Sequence, residues 1–473
     1  MTKAKQRIAL INPPQYTKYP QPPMGLAVLG AVLEREGYPV SIIDANALWL
    51  QPNDVPRLDV PRLLDRTDVV GITAMTPTIS SALAIARCVK QSNPETTVIL
   101  GGVHPTLLAE KILADTPEVD IVVRGEGETA VVEVLQALSH KRSPSSVLGI
   151  SYRSRRRITS TPDRSDTTEL DLLPYPAYHL LPWRKYRPHP PHGRTSPFLP
   201  MMTSRGCPCH CSFCSKAVFG SKYRTQSSIR VVDEIEYFHH RLGIKEIAFY
   251  DDVFTLDKRR TYAIADGILR RGLKICWTCE SRVNLVDKDL LRHIKQAGCY
   301  SIAYGIESGS QKMLDVLDKD ATLEQAEEAV RISNEVGLQT VGYFMIGSPG
   351  ETPGTIKETI EFAKKLILDY AQFAITTPFP GTKLYEIYES GWSKGDPIPW
   401  HGFVYSGTRD AASPMFHSNA LSPSDIRYWV GRAYKEFYLR ATYVWQRLSK
   451  VRSAGDIKVL VKGILMLAGN LKR

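Results

Sequence analysis

Cys207, Cys211 and Cys214 lie in Ser204-Arg205-Gly206-Cys207-Pro208-Cys209-His210-Cys211-Ser212-Phe213-Cys214, a C-x3-C-x2-C spacing. Three thiolates so spaced can hold three corners of a four-iron cluster and leave the fourth iron without a protein ligand. A purely structural cluster would be closed by a fourth cysteine, so the open corner argues for a bound substrate or cofactor and for chemistry. With 8 cysteines in 473 residues, chance placement at this spacing is on the order of a few in a thousand. A zinc knuckle is the rival reading, with Cys209 or His210 as fourth ligand.

The elements that must position this trio can be read along the chain. The apolar run Phe198–Thr203 predicts a buried strand ending at the cysteine loop. Strands at Glu246–Tyr250, Ile275–Thr278, Ser301–Gly305, Gly342–Ile346 and Gln372–Ile375 follow, with helices between. Upstream, strands are predicted at Ile8–Ile11, Val40–Asp44, Val69–Thr73, Val98–Gly101 and Ile121–Arg124. Helical patterns such as Leu26–Glu36, Ser80–Lys90 and Glu128–Leu138 lie between them. That alternation predicts a doubly wound parallel sheet, which binds ligands beyond its strands' carboxyl ends. The expected domains are 1–150, a linker at 151–195, 196–390, and a helical region at 391–473.

The 43% apolar fraction suffices for sizeable cores. No signal-peptide segment or run of roughly 18 apolar residues is read, so a cytoplasmic location is expected. The net charge of +11 is mostly dispersed and no nucleic-acid-reading motif accompanies it, so no nucleic acid is expected as partner. The linker holds Arg153, Arg155, Arg156 and Arg157 and prolines at 174, 176, 182, 188, 190 and 191, which disfavour a long helix.

C-x3-C-x2-C with Phe213 before the last cysteine resembles the radical S-adenosylmethionine (SAM) superfamily. The resemblance implies a 4Fe–4S cluster whose unique iron chelates SAM, and a deoxyadenosyl radical released by reductive cleavage. It also makes the six strand–helix units of 196–390 an open, partial (β/α)6 barrel with its site at the strand C-termini. Phe213 would sit between cluster and adenine, ordinary packing being its alternative role. Asp251 and Asp252, after the second barrel strand, are candidates for the methionine ammonium, and alternation along a strand lets only one reach it. Arg282, in Trp277-Thr278-Cys279-Glu280-Ser281-Arg282, would pair with the methionine carboxylate or with an acid at the barrel rim. Tyr304-Gly305-Ile306-Glu307-Ser308-Gly309 closely matches the ribose-binding segment, giving Glu307 the ribose hydroxyls and Ser308 a place beside them. Ile346 ends the strand whose backbone would contact adenine, and Glu351 would start the next helix. Thr376, Pro378 and Thr382 belong to a loop expected on the substrate side.

In the first domain Asn12-Pro13-Pro14, Gly101-Gly102-Val103-His104-Pro105-Thr106 and Arg124-Gly125-Glu126-Gly127-Glu128 resemble the cobalamin-binding domain of cobalamin-dependent radical SAM enzymes. The implied cobalamin contacts are Pro13, Asp44, Thr73, Met75, Thr76, Gly101, Gly102, His104, Gly125 and Glu126. The D-x-H-x-x-G motif that donates a histidine to cobalt is absent, so no histidine–cobalt bond is expected. The Met75–Ile79 loop would lie near the lower face, and His104 is the rival ligand. A domain that holds no cobalamin is the alternative.

Together the two domains imply a methylase that uses SAM twice, once as methyl donor to cobalamin and once as radical source, to methylate an unactivated carbon. A cyclase or carbon–carbon coupling enzyme, and a non-catalytic iron–sulfur protein, are the alternatives. The expected partners are a small-molecule, tetrapyrrole or lipid substrate and a reductant such as flavodoxin or ferredoxin. The aromatic, basic C-terminal region would suit such substrates. The apolar tail 457–467 could add peripheral membrane contact, packing against the barrel being its other reading. Cys276, Cys279 and Cys299 raise an auxiliary cluster, against which an odd strand offset points Cys276 and Cys279 to opposite faces. Cys88 reads as core.

Overall fold

The computed structural model describes residues 5–17, 19–57, 67–154, 157–165, 169–188, 193–390, 400–403 and 420–449. The tail 457–467, Arg155 and Arg156, and Pro190 and Pro191 lie outside these residues. The chain divides into two compact units. One comprises Met1–Pro208, Ser215–Asp251 and Leu273–Ile275, the other Cys209–Cys214, Asp252–Gly272 and Cys276–Arg473.

In the first unit, β1 (Ile8–Asn12), β2 (Val40–Asp44), β3 (Val69–Thr73), β4 (Thr97–Gly101) and β5 (Ile121–Val123) are parallel. With β6 (Ile150–Ser154) and β7 (Arg157–Ser160) they form a seven-stranded sheet in the order β2-β1-β3-β4-β5-β6-β7. Strand order reverses beside β1, which pairs Ile8 with Val40 on one side and with Val69 on the other. At such a reversal the crossovers part and leave a crevice above the carboxyl ends of the strands. Strands covered on both faces must be apolar throughout, and Ile8–Ile11 are all buried accordingly. The stretch after residue 150, which its arginines mark only as a linker, instead supplies β6 and β7, two antiparallel strands at the sheet's edge.

This unit also holds β8 (Phe198–Met201), which pairs in parallel with β11 (Glu246–Phe249), and a ribbon of β9 (Ser204–Arg205) and β10 (Arg224–Thr225). β8 is buried throughout, as the apolar run predicts, but ends at Met201, and the short strand β9 lies between it and the cysteine loop.

In the second unit β12 (Cys276–Ser281), β13 (Cys299–Glu307), β14 (Gln339–Ile346) and β15 (Tyr370–Ile375) are parallel neighbours in chain order. Helices such as Leu323–Glu335 and Pro353–Lys365, both opened by capping boxes at Thr322 and Thr352, return the chain between strands. The helix Pro423–Tyr438 covers β15. Tyr438 Oη accepts from Ala371 N (3.1 Å) and donates to Ala371 O (2.8 Å), and Tyr434 Oη accepts from Phe373 N (3.2 Å). These tyrosines satisfy the open polar groups of the strand. Tyr434 and Tyr438 therefore serve the fold, whereas Tyr428 of the same helix is exposed. No helix among the described residues is long and apolar enough to cross a membrane.

Candidate functional site

The candidate residues are divided between the two units. In the second unit, Cys211 is buried and Cys214 exposed, with Cys214 N donating to Cys211 O at 3.2 Å. Arg282, at the end of β12, points Nη1 at Cys211 Sγ (3.3 Å). Its Nη2 donates to the carbonyls of Lys319 and Asp320, the latter at 3.0 Å. A hydrogen bond from Cys214, with Lys319 and Arg282 nearby, outweighs burial and lowers the Cys211 thiol to about 6; Cys214, the other partner of that bond, is raised. A cluster ligand must be a thiolate, a form these surroundings favour at Cys211 and oppose at Cys214.

β13 is irregular where it matters. Its register with β14 shifts between Gly305 and Glu307, and Glu307 takes φ of 68°. A bulge re-aims the side chain it carries, and left-handed backbone at a non-glycine costs about 1 kcal/mol or more. Glu307 is thereby turned to Lys319, whose Nζ lies 2.8 Å from Oε1 and 5.7 Å from the centre of the Phe213 ring. Lys319 is 5% exposed. Sequence reading missed it; its only signal was a lysine between two aspartates after a short helix.

The other SAM candidates separate by burial and by bonding. Asp251, in the first unit, is fully buried; its Oδ1 accepts from Thr203 N (3.0 Å), Thr203 Oγ1 (2.9 Å) and Ser204 Oγ. It braces the chain leaving β8, and Asp252 is the exposed member of the pair. Arg282, expected to pair with the methionine carboxylate or with an acid at the barrel rim, donates in this structure to the carbonyls of Lys319 and Asp320 and to Cys211 Sγ. Ser308 is buried against Thr359 Oγ1 (2.9 Å), and Ile346 O accepts from Thr376 N (2.9 Å). Thr376 Oγ1 meets Ser348 Oγ (2.9 Å), Pro378 is buried, and Thr382 Oγ1 donates to Phe379 O (2.7 Å), closing the turn before a helix. Glu351 folds back to accept from the N–H groups of Gly347 and Ser348, and burial raises it to about 7. Cys299 Sγ donates to Ser301 O (3.5 Å) inside β13, and Cys279 is buried while Cys276 is half-buried. Among the described residues no three His, Cys, Asp or Glu side chains converge as ligands of a single metal ion.

In the first unit a mostly apolar cavity of about 320 Å³ opens between the sheet and the helices Met24–Arg35 and Gly127–Ser139. Gly71, Thr73, Gly101, Gly102, Gly125 and Glu126 line it. Gly102 takes φ of 104°, and a Cβ there would lie 2.6 Å from Ala74 O, so no side chain can stand between this turn and a ligand. Thr106 Oγ1 donates to Gly102 O (2.8 Å) and accepts from Gly125 N (3.0 Å), tying the two glycine loops together. A large, flat cofactor needs such close backbone approach, so these loops fit cobalamin.

Several other residues expected to touch cobalamin are occupied. Asp44 is buried, accepting from Asn12 Nδ2 (2.8 Å) and Tyr186 Oη (2.7 Å), and burial raises its carboxyl. His104 is buried with Nδ1 3.2 Å from Thr76 Oγ1; burial, then Lys111, lowers it to about 4, so the ring is neutral. Pro13 is buried, and Met75 is exposed at the bend after β3. Glu126 faces two arginines, Arg205 and Arg224, that sequence reading did not single out.

Residues 16–135 match the B12 binding domain family and residues 201–363 the Radical SAM superfamily. The chain is 38% identical over 422 residues to the uncharacterized methyltransferase PH0819 of Pyrococcus horikoshii, covering 89% of this chain and 88% of that protein. It is 29% identical over 436 residues to the anaerobic magnesium-protoporphyrin IX monomethyl ester cyclase of Rubrivivax gelatinosus, covering 91% and 76%. In fold it is similar to the radical SAM methyltransferase TsrM of Kitasatospora setae, solved with cobalamin and a 4Fe–4S cluster bound. That likeness has a TM-score of 0.68 at 21% identity, over 87% of this chain and 84% of that one.

Proposed function

We propose, from the premise that this chain belongs to the radical SAM proteins that carry a B12-binding domain, that it is a methyltransferase acting on an unactivated carbon of a small molecule. The observation that carries this is the gathering of Cys211, Cys214, Arg282, Lys319, Glu307 and Phe213 in one corner of the second unit. When bound, the cluster supplies reductive cleavage of SAM and the corrinoid supplies a transferable methyl group, the hard chemistry that a protein scaffold lacks.

The protein's own groups bind and orient. Cys207, Cys211 and Cys214 would hold the cluster, with Arg282 donating to Cys211 Sγ. Glu307 offers acceptors for the two ribose hydroxyls once it shares or releases Lys319, and Lys319 then stands ready for an anionic group of SAM. Asp252 is the better placed acid for the methionine ammonium, because Asp251 is committed to Thr203 and Ser204. Gly101, Gly102 and Gly125 would admit the corrinoid to the crevice of the sheet. His104, neutral and paired with Thr76, is left out of cobalt ligation in this scheme. A low-potential donor such as flavodoxin or ferredoxin would deliver the electron.

A second reading, oxidative ring closure on a tetrapyrrole, is favoured by the likeness to the cyclase over 91% of the chain. Anaerobically reconstituted protein incubated with SAM, a reductant and candidate substrates tests both. Deoxyadenosine together with S-adenosylhomocysteine, and label passing from methyl-labelled SAM to product, is the methylase result. Deoxyadenosine without methyl transfer supports the cyclase, and a protein that binds no iron sinks both. Glu307→Gln is expected to weaken SAM binding about tenfold through one lost charged hydrogen bond.

A further inference from the structure

Arg205 and Arg224 are direct cross-strand partners in the ribbon of β9 and β10. That ribbon closes the neck of the segment 206–223, in which all three cysteines of the motif lie. Like charges opposite each other on a strand pair repel, and both side chains are only 10% exposed, so water screens them little. The ribbon is two residues long on each strand and has few ladder bonds to set against that repulsion. Neutralisation comes from elsewhere in the chain. Glu126 accepts from Arg205 Nη1 (2.5 Å) and from Arg224 Nη2, and Glu128 accepts from Arg205 Nη2 (2.6 Å). Two cations thus meet two anions, all near 10% exposed. The neck itself is tight: Gly206 takes φ of 81°, and a Cβ there would lie 2.3 Å from Lys222 O.

We propose that Glu126 and Glu128, with Arg205 and Arg224, form a charge clamp that closes the cysteine segment and positions Cys207, two residues beyond Arg205. These four are positioning residues. The Arg-Gly-Glu-Gly-Glu loop then serves Cys207 through Glu126 while its glycine lines the cofactor crevice. The proposal rests on the reading that the three cysteines hold a cluster.

The test uses the full chain, reconstituted without oxygen. It measures iron and sulfide content, cluster lifetime against a ferrous chelator, and the electron paramagnetic resonance signal of the reduced protein with and without SAM. Cobalamin absorbance and the thermal midpoint are followed alongside. A wild-type chain without a cluster overturns the functional reading and the clamp with it; a wild-type chain with one leaves the clamp to be judged on the variants. Glu126→Gln leaves the two guanidinium groups with one anion, and is expected to shorten cluster lifetime about tenfold and to alter the signal seen with SAM. Adding Arg224→Gln removes the opposing cation and is expected to recover most of that lifetime. Additive losses in the double variant overturn the clamp. So does a Glu126→Gln protein whose lifetime and signal match wild type, whatever its thermal midpoint. If Glu126→Gln does not fold, Arg224→Gln and Glu128→Gln replace it, with shortened lifetimes expected and unchanged ones refuting.

Discussion

Replacing Glu351 by glutamine should make the protein more stable in alkali and no different in mild acid. Glu351 is 2% exposed and accepts from the N–H groups of Gly347 and Ser348 in the bend after β14. Burial outweighs those two bonds and raises the carboxyl from 4.5 to about 7. The folded state therefore holds this proton more tightly than the unfolded chain does. The resulting stabilisation is complete below pH 4.5 and is lost as pH rises through about 7. A shift of that size corresponds to about 3 kcal/mol. Glutamine keeps an oxygen acceptor for both N–H groups and carries no charge to desolvate. Urea unfolding of the cofactor-free protein, at about pH 4 and about pH 8.5, should show Glu351→Gln level with wild type at the lower pH. At the higher it should be more stable by about 3 kcal/mol. Glu234 is also raised to about 7, by burial that outweighs Arg230, so wild type should lose stability from both groups over this window and Glu351→Gln from one. An offset that is the same at both pH values, or a variant weaker than wild type in alkali, would refute the reasoning.

Arg282→Met removes the donor to Cys211 and to the carbonyls of Lys319 and Asp320. A loss of about 3 kcal/mol in denaturant titration and a lower iron yield are expected, and Arg282→Lys should not restore them, because an ammonium lacks the planar fork. His104, lowered to about 4, should withdraw stability as pH falls from its ordinary 6.5 toward 4. His104→Gln should remove that acid-limb loss and leave the absorbance of bound cobalamin unchanged, whereas a spectral change would mark His104 as a cobalt ligand. Tyr438→Phe strips Ala371 of a donor and an acceptor and should lower stability by about 2 kcal/mol, read as a shift in thermal midpoint.

Much of the architecture was legible because parallel strands covered on both faces are written as unbroken apolar runs. Ile8–Asn12, Val69–Thr73 and Phe198–Met201 are such runs, and their limits agree with the sequence expectation to within a residue or two. β6 and β7 were hidden because an antiparallel edge tolerates arginine and serine on its open face. At the site the cysteine motif and Glu307 could be located from local pattern alone. Lys319 could not, since its importance comes from contacts with Glu307 and Phe213, residues distant in the chain.

Residue order alone determined that this protein is built from two series of strand–helix units, with a thiol trio after β8 and glycine-rich turns after β4 and β5. Covalent spacing and hydrophobic period are local properties, and a chain displays them before it folds. Which acid braces and which stays exposed, whether Arg282 meets a carboxylate or a thiol, and that Glu126 faces two arginines were decided only on folding. Charges and hydrogen-bonding groups find partners across the fold, and a buried group's partner is whatever the packing brings within about 3 Å.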